Sequence, residues 1–474
     1  MQIWREMERE GMEELVFCYD PSSGLKAIIA IHNTALGPAL GGCRCWSYTS
    51  EEEAIRDAIK LAKGMTYKNA MAGLPYGGGK AVIWDASEAS GKIQAGSGTN
   101  DQNDDQVPQP GVGANLPGVG GIGMHDQVPQ PGVETILPGV SGLGMHDQVP
   151  QPGVEANLSG VGKLEQHDQV PQPGVEANLS GVGKLGQHDQ GTQTGVEANL
   201  SGVGGHAGEV LDVRALRFRA LGRCLERLNG RFVTGLDLGT TASDMDQIRV
   251  ETAYVTDTTG SLGAKDDFTA DMTAYGVYIG IVTSLCHQGV AALQGISVAV
   301  QGLGKVGYAL CRYLHAAGAR LIVADVVPGR VQRALMQFSG AISADPARIH
   351  AADCMVFAPC ALGGVITPAT VEELRCSIVA GAANNQLHGG QLVARRMQAH
   401  GILYAPDYVL NAGGIISTAC ELQGAGPDLI RQKVAGIAGT LGKVYAEAAR
   451  SGTSTLEAAD RLAEVILSTG QASQ

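Results

Sequence analysis

A chain of 474 residues is long enough for two or three domains, each with its own core. Its net charge of −13 argues against nucleic acid as the main partner, because neutralising phosphates takes a basic surface. No apolar run reaches the roughly 20 residues of a membrane span, so a membrane role is not expected. Aromatics are scarce at 4% while glycine numbers 67, so part of the chain is not ordinary globular sequence.

From the N-terminus, residues 1–11 are charged and lack the apolar stretch of a secretory signal. Residues 24–32, GLKAIIAIH, predict a buried strand. Ser50 followed by Glu51, Glu52 and Glu53 reads as a helix N-cap with an acidic first turn. Ala54, Ala58, Leu61 and Ala62 continue it at a period near 3.6. Residues 64–80, GMTYKNAMAGLPYGGGK, bring Lys68 and Lys80 within twelve positions across a Gly-rich turn. Two ammonium groups in one closed cleft each disfavour the charged form of the other, and a lysine so tuned serves as a general base. Spacing alone leaves open the alternative of two solvated lysines. Residues 80–84 predict another strand.

A self-comparison then finds DQVPQPGV at Asp105, Asp126, Asp147 and Asp168, a spacing of 21, with a degenerate copy at Asp189. These Gly/Pro-rich units, filling residues 105–204, carry too few large apolar residues for a core, so a disordered insert is expected. Its His125, His146, His167 and His188, each followed by Asp, follow from duplication, and no metal site is assigned. Beyond it, Leu221, Cys224, Leu225 and Leu228 make one apolar helical face that stops at Asn229-Gly230. Removing the repeats therefore leaves strand, loop, helix. The ten cysteines, from Cys18 to Cys420, contain no CxxC pair, and reduced thiols in a cytoplasmic protein are expected.

Residues 296–325, ISVAVQGLGKVGYALCRYLHAAGARLIVAD, hold the clearest ligand signal. A strand over 296–300 leads into Gly302-Leu-Gly304-Lys-Val-Gly307, a helix over 306–317 closes at Gly318, and a strand over 321–323 ends at Asp325. Gly302 permits the tight turn, Gly304 lets a pyrophosphate approach the backbone, and Gly307 lets helix and strand pack closely. With Lys305 and Val306, whose amides open the helix, these form the cofactor cradle. Asp325 accepts bonds from a ribose and repels a 2′-phosphate. Val326 and Val327 supply no adjacent cation, so NAD is favoured over NADP.

The stretches GLKAIIAIHNTALGPALGG, GMTYK, GGGK, GRFVTGLDLGTT, QGLGKVGYALCRYL, FAPCALGGVIT, VAGAANNQL and GILYAPDYVLNAGG closely resemble the leucine/valine/phenylalanine dehydrogenases of the glutamate dehydrogenase superfamily. The likeness covers about residues 12–85 and 210–450. It implies that Lys68 pairs with the substrate α-carboxylate, assisted by the backbone at Gly41 and Gly42. It implies that Lys80 activates water and that Asp237 exchanges protons with the amino group. Asn384 would orient substrate and nicotinamide, and Thr273 and the Cys360-Ala361-Leu362 segment would contact the cofactor. Leu40 stands where glutamate-specific relatives carry a lysine, so an apolar substrate is implied. Gly235, without a Cβ, would leave a roomier pocket and tilt the preference toward phenylalanine. Thr418 falls where an apolar pocket residue is usual.

The expectation is an α/β two-domain amino-acid dehydrogenase, homo-oligomeric, releasing ammonia and a 2-oxo acid with NAD as cofactor. The catalytic domain covers residues 1–88 and 206–268, split by the repeat insert at 89–205. A Rossmann dinucleotide-binding domain covers 269–425, and C-terminal helices at 426–474 pack back toward the catalytic domain. The competing reading is a catalytically impaired dehydrogenase fold whose repeats act as an interaction tether.

Overall fold

A computed structural model describes residues 2–85, 212–265 and 267–471, all within one compact unit. The repeats, their His-Asp ladder and the limits 89–205 assigned to the insert lie outside the described residues. The first lobe comprises α1 (Ile3–Glu10), β1 (Glu14–Asp20), β2 (Leu25–Asn33), β3 (Ala39–Trp46), α2 (Glu51–Met71) and β4 (Gly77–Trp84). It continues with α3 (Val213–Glu226), β5 (Phe232–Leu236) and α4 (Ala242–Arg249). Its sheet has the order β1-β2-β4-β3-β5, with β4 antiparallel to β2 and parallel to β3.

The strand expected over 24–32 is β2, and its near-continuous apolar character has a physical cause: both faces are covered. Successive side chains alternate across the sheet. Leu25, Ala27, Ile29 and Ile31 pack with Phe218, Leu221 and Phe232 on the α3 side. Ile28 and Ala30 pack with Ala54, Ala58 and Ala62 of α2 on the other. Ser50 accepts from the Glu53 amide and caps α2, as its sequence suggests. This helix runs on through GMTYK to Met71, so Lys68 sits in its last turn while Lys80 lies in the middle of β4, opposite Ala30.

Helix α5 (Phe268–His287) leads to the second lobe. There follow β6 (Ser297–Gln301), α6 (Lys305–Ala316), β7 (Arg320–Ala324), α7 (Pro328–Gln337), β8 (Ile342–Ser343), β9 (Val356–Pro359), α8 (Pro368–Val371), β10 (Ile378–Val379), α9 (Gln391–Ala399) and β11 (Leu403–Tyr404). The strands form a parallel sheet of order β11-β10-β9-β6-β7-β8; the order in which the chain adds strands reverses between β6 and β9, where an open α/β sheet places its ligand crevice. Helices α10 (Asp407–Leu410), α11 (Gly413–Leu422), α12 (Pro427–Ala435), α13 (Ile437–Ser451) and α14 (Thr455–Gln471) complete the chain. The Thr440 hydroxyl of α13 donates to the Met71 carbonyl of α2 at 3.3 Å, and the Tyr67 hydroxyl of α2 donates to Glu464 of α14 at 3.4 Å. Among the described residues, no helix is long and apolar enough to cross a membrane.

Candidate active site

A cavity of about 280 Å³ lies between the lobes, lined from the first by Leu40, Gly41, Gly42, Lys68, Lys80, Gly235 and Asp237 and from the second by Thr273, Val306, Asn384 and Asn411. Strand pairing brings these distant positions together. Leu40, Gly41 and Gly42 of β3 pair with Val233, Thr234 and Gly235 of β5, whose end delivers Asp237. Lys80 on β4 is buried and meets Asp237 Oδ2 at 2.9 Å. A Cβ on Gly42 would crowd the Leu236 carbonyl, Asp237 Cβ and Lys80 Nζ at 2.7, 2.8 and 3.2 Å, so that glycine makes room for the pair.

Arg44 is a site residue the sequence reading missed. Its Nε donates to the same Asp237 oxygen at 2.9 Å, and its Nη1 donates to Asp57 at 3.0 Å. Asp57 also accepts from the Tyr48 hydroxyl at 2.6 Å. Burial alone would raise Asp237, but Lys80 and Arg44 outweigh it and hold the carboxyl at about 2. The signal was present in part: Arg44 lies two residues beyond Gly42 on one strand and so shares its face.

The lysine pulled down is Lys68, and the cause is chiefly burial rather than its twin. Burial, with Lys80 as a smaller contributor, lowers it to about 8, while Asp407 and Asp237 pull the other way. Its Nζ donates to Asn384 Oδ1 at 3.1 Å, and the same oxygen accepts from Asn411 Nδ2 at 2.7 Å. Asn384 is thus held by two donors, one from each lobe, and Asn411 is a second residue missed from sequence. Thr273 turns its hydroxyl back to the Thr269 carbonyl at 2.8 Å while lining the cavity.

Gly235 departs from expectation. The space left by its missing Cβ is filled: a Cβ there would collide with Asp257 Oδ2 and Thr256 Oγ1. The glycine admits a carboxylate and a hydroxyl to the cavity wall.

On the second lobe, Gly302 adopts φ +95°, which a side chain disfavours, and a Cβ would press on Ala361 N at 2.9 Å. A Cβ on Gly307 would strike the Gly302 carbonyl and approach Cys360 Cβ at 3.2 Å. The Cys360-Ala361-Leu362 segment therefore backs the glycine turn, with Leu362 exposed. Gly304 caps α6 with nothing of the protein within 4 Å of its Cβ position, an open place at a helix N-terminus. Lys305, on the rim, pairs with Asp267 at 2.8 Å. Asp325 accepts from the Leu303 and Val327 amides at 2.7 and 2.8 Å. An adjacent cation is present after all: Arg330 Nη1 stands 3.7 Å from Asp325 Oδ2, brought back by the first turn of α7. The open turn at Gly304 and the buried Asp325 carboxylate fit a dinucleotide.

A nucleotide-binding turn facing a lysine–aspartate pair across an interlobe cavity defines a two-lobe α/β dehydrogenase. Two family models match, described as "Glu/Leu/Phe/Val dehydrogenase, dimerisation domain" over residues 13–94 and "Glutamate/Leucine/Phenylalanine/Valine dehydrogenase" over residues 329–433. Leucine dehydrogenase of Bacillus subtilis is 37% identical over 98% of this chain and 93% of its own. Phenylalanine dehydrogenase of Caldalkalibacillus thermarum is 32% identical over 95% and 90%. The crystal structure of L-tryptophan dehydrogenase from Nostoc punctiforme matches with a TM-score of 0.64 at 30% identity, covering 99% of both chains. The chain belongs to the Glu/Leu/Phe/Val dehydrogenase family and is an amino-acid dehydrogenase, an oxidoreductase acting on CH–NH2 donors.

Proposed function

We propose that the protein oxidatively deaminates an L-amino acid with a largely apolar side chain to the 2-oxo acid and ammonia, with NAD as electron acceptor. The observation that carries this reading is the Lys80–Asp237 pair, 2.9 Å apart and facing Lys68 across one cavity. Lys68 meets the substrate α-carboxylate, a charge-assisted contact for which a half-buried lysine is suited. Asp237, already anionic, takes and returns a proton at the substrate nitrogen through the oxygen that Lys80 and Arg44 leave free. Lys80 orients the water that attacks the imine carbon and moves its proton. Asn384, fixed by Lys68 and Asn411, keeps its amide nitrogen for substrate or nicotinamide. The backbone at Gly41 and Gly42 supports the carboxylate end.

When bound, NAD supplies a hydride acceptor for the substrate Cα; Gly302, Gly304, Lys305, Val306, Gly307 and Asp325 would hold it. Thr273, which lines the cavity, and the Cys360-Ala361-Leu362 segment, which backs the glycine turn, would contact it. Leu40, fully buried in the cavity wall, leaves a substrate γ-carboxylate without a cation and disfavours glutamate. The dimerisation description of the matched first-lobe model supports a homo-oligomer. The tether reading is not favoured, because the lysines, Asp237 and the glycine turn converge as turnover needs. The test is Lys80→Ala: NADH production from whichever of leucine, valine, phenylalanine and tryptophan the wild type turns over fastest should vanish while the dinucleotide still binds. Unchanged turnover in the purified variant would refute the assignment.

A further inference from the structure

The cavity wall holds a carboxylate that the chemistry above does not use. Asp257 is buried to 6% exposure, yet it lines the same cavity as Lys68, Lys80 and Asp237. The segment carrying it runs beside β5: Val255 bridges Thr234, and the Thr256 amide donates to the Thr234 carbonyl at 2.8 Å. Asp257 itself adopts φ +56°, a conformation uncommon outside glycine. Its carboxylate occupies the hollow that Gly235 leaves. The chain thus gives up a side chain at Gly235 and sets a carboxylate into this wall in its place.

A turn cap alone would not need this. Oδ2 accepts from the Leu236 amide at 3.0 Å and from the Thr256 hydroxyl at 3.1 Å, and those two bonds hold the turn. Among the described residues, Oδ1 accepts from the Thr418 hydroxyl alone, at 3.5 Å, although a carboxylate has about four acceptor sites. Among the described residues, no cation forms an ion pair with Asp257. The charged group behind it is Glu421, of like sign, which accepts from the Gly263 amide at 2.9 Å. Burial first, and then Glu421, raises the Asp257 carboxyl above its ordinary value. A buried acceptor short of donors is costly unless a ligand completes it.

We infer that Asp257, seconded by Thr418, accepts a hydrogen bond from the substrate side chain. The favoured substrates are then L-amino acids whose side chain bears a hydroxyl, amide or indole N–H rather than hydrocarbon alone. This rests on the dehydrogenase reading and narrows it. It also explains why Thr418 stands where an apolar residue is usual: its hydroxyl turns to Oδ1. A site built to bond a substrate O–H or N–H can reject the analogue lacking it by as much as about 10⁴-fold, far more than a methylene changes.

The test compares near-isosteric pairs: threonine with valine, asparagine with leucine, tyrosine with phenylalanine, and tryptophan with its benzothienyl analogue. For each, kcat/KM and calorimetric binding are measured on the wild type, Asp257→Asn and Asp257→Gly. Asparagine keeps the turn cap but presents a donor where Oδ1 accepted, while glycine suits the φ but gives up both Oδ2 bonds, so Asp257→Asn is the decisive variant and Asp257→Gly the full removal. In the pair whose size fits, the wild type should favour the donor-bearing member at least about tenfold, and both variants should lose that preference. Preference for the hydrocarbon member in every pair, or ratios unchanged in both variants, would overturn the inference. Absence of NADH formation from every amino acid on the wild type would instead overturn the dehydrogenase reading. The calorimetric ratios would still decide the role of Asp257.

Discussion

Lys68 gives the sharpest numerical expectation. Burial lowers it from the ordinary 10.5 to about 8, a gap worth about 3 kcal/mol. A carboxylate docking on its ammonium favours the charged form and restores much of that gap. Free enzyme and complex should therefore differ in their affinity for a proton, and carboxylate binding should weaken as pH rises. The inhibition constant of 4-methylpentanoate, a substrate analogue without the amino group, removes the substrate's own amine from the titration. At saturating NAD it should be flat below about pH 7 and climb about tenfold per pH unit above 8, reaching about 300-fold near 10.5. Asp237, at about 2, is already ionised throughout and adds no break. Lys68→Arg keeps its charge and should flatten the profile, while Lys68→Ala should raise the constant at every pH and leave turnover less affected. A flat wild-type profile between pH 7 and 10, or a break that persists in Lys68→Arg, would refute the role given to this residue.

Arg44→Met should leave Asp237 with Lys80 alone, and a charge-assisted bond of about 1.5–3 kcal/mol corresponds to one or two pH units. Asp237 is held below its unfolded value, so it stabilises the fold above about pH 3.8 and loses that contribution as pH falls toward 2. In the variant this window narrows; thermal melts between pH 3 and 6 should show acid unfolding starting about one pH unit higher, and an unmoved midpoint would count against the coupling. Asp325→Ser removes the charge proposed to repel a 2′-phosphate and leaves Arg330, so the NADP/NAD ratio of kcat/KM should rise at least about tenfold. Arg330→Ala in that background should return it, and a ratio indifferent to both changes would remove them from cofactor choice.

What was legible in the sequence was local. The glycine turn at 302–307 reads directly because strand, turn and helix are contiguous in the chain. β2 reads as buried because its apolar residues are unbroken. Lys68 and Lys80 read as a pair because twelve residues separate them. Arg44 and Asp237 are 193 positions apart, and only the pairing of β3 with β5 joins them. Gly235 misled for the same reason: a missing side chain reads as empty space, and the occupant comes from the other side of α4. Arg330 escaped because a helical turn, not sequence adjacency, returns it to Asp325. The direction of the lysine's shift was foreseeable from charge, but its dominant cause, burial, belongs to the assembled cleft.

The bond from Lys68 to Asn384 spans 316 residues and joins α2 of one lobe to the loop after β10 of the other. In the proposed reading, a carboxylate arriving at that lysine finds one of its three N–H donors already engaged. The remaining donors can take the carboxylate while the bond to Asn384 holds, so one ammonium group bridges the incoming molecule and the opposite wall. By linkage, a carboxylate that binds better when this bridge is intact favours the joined lobes, and joined lobes hold that carboxylate more tightly by the same factor.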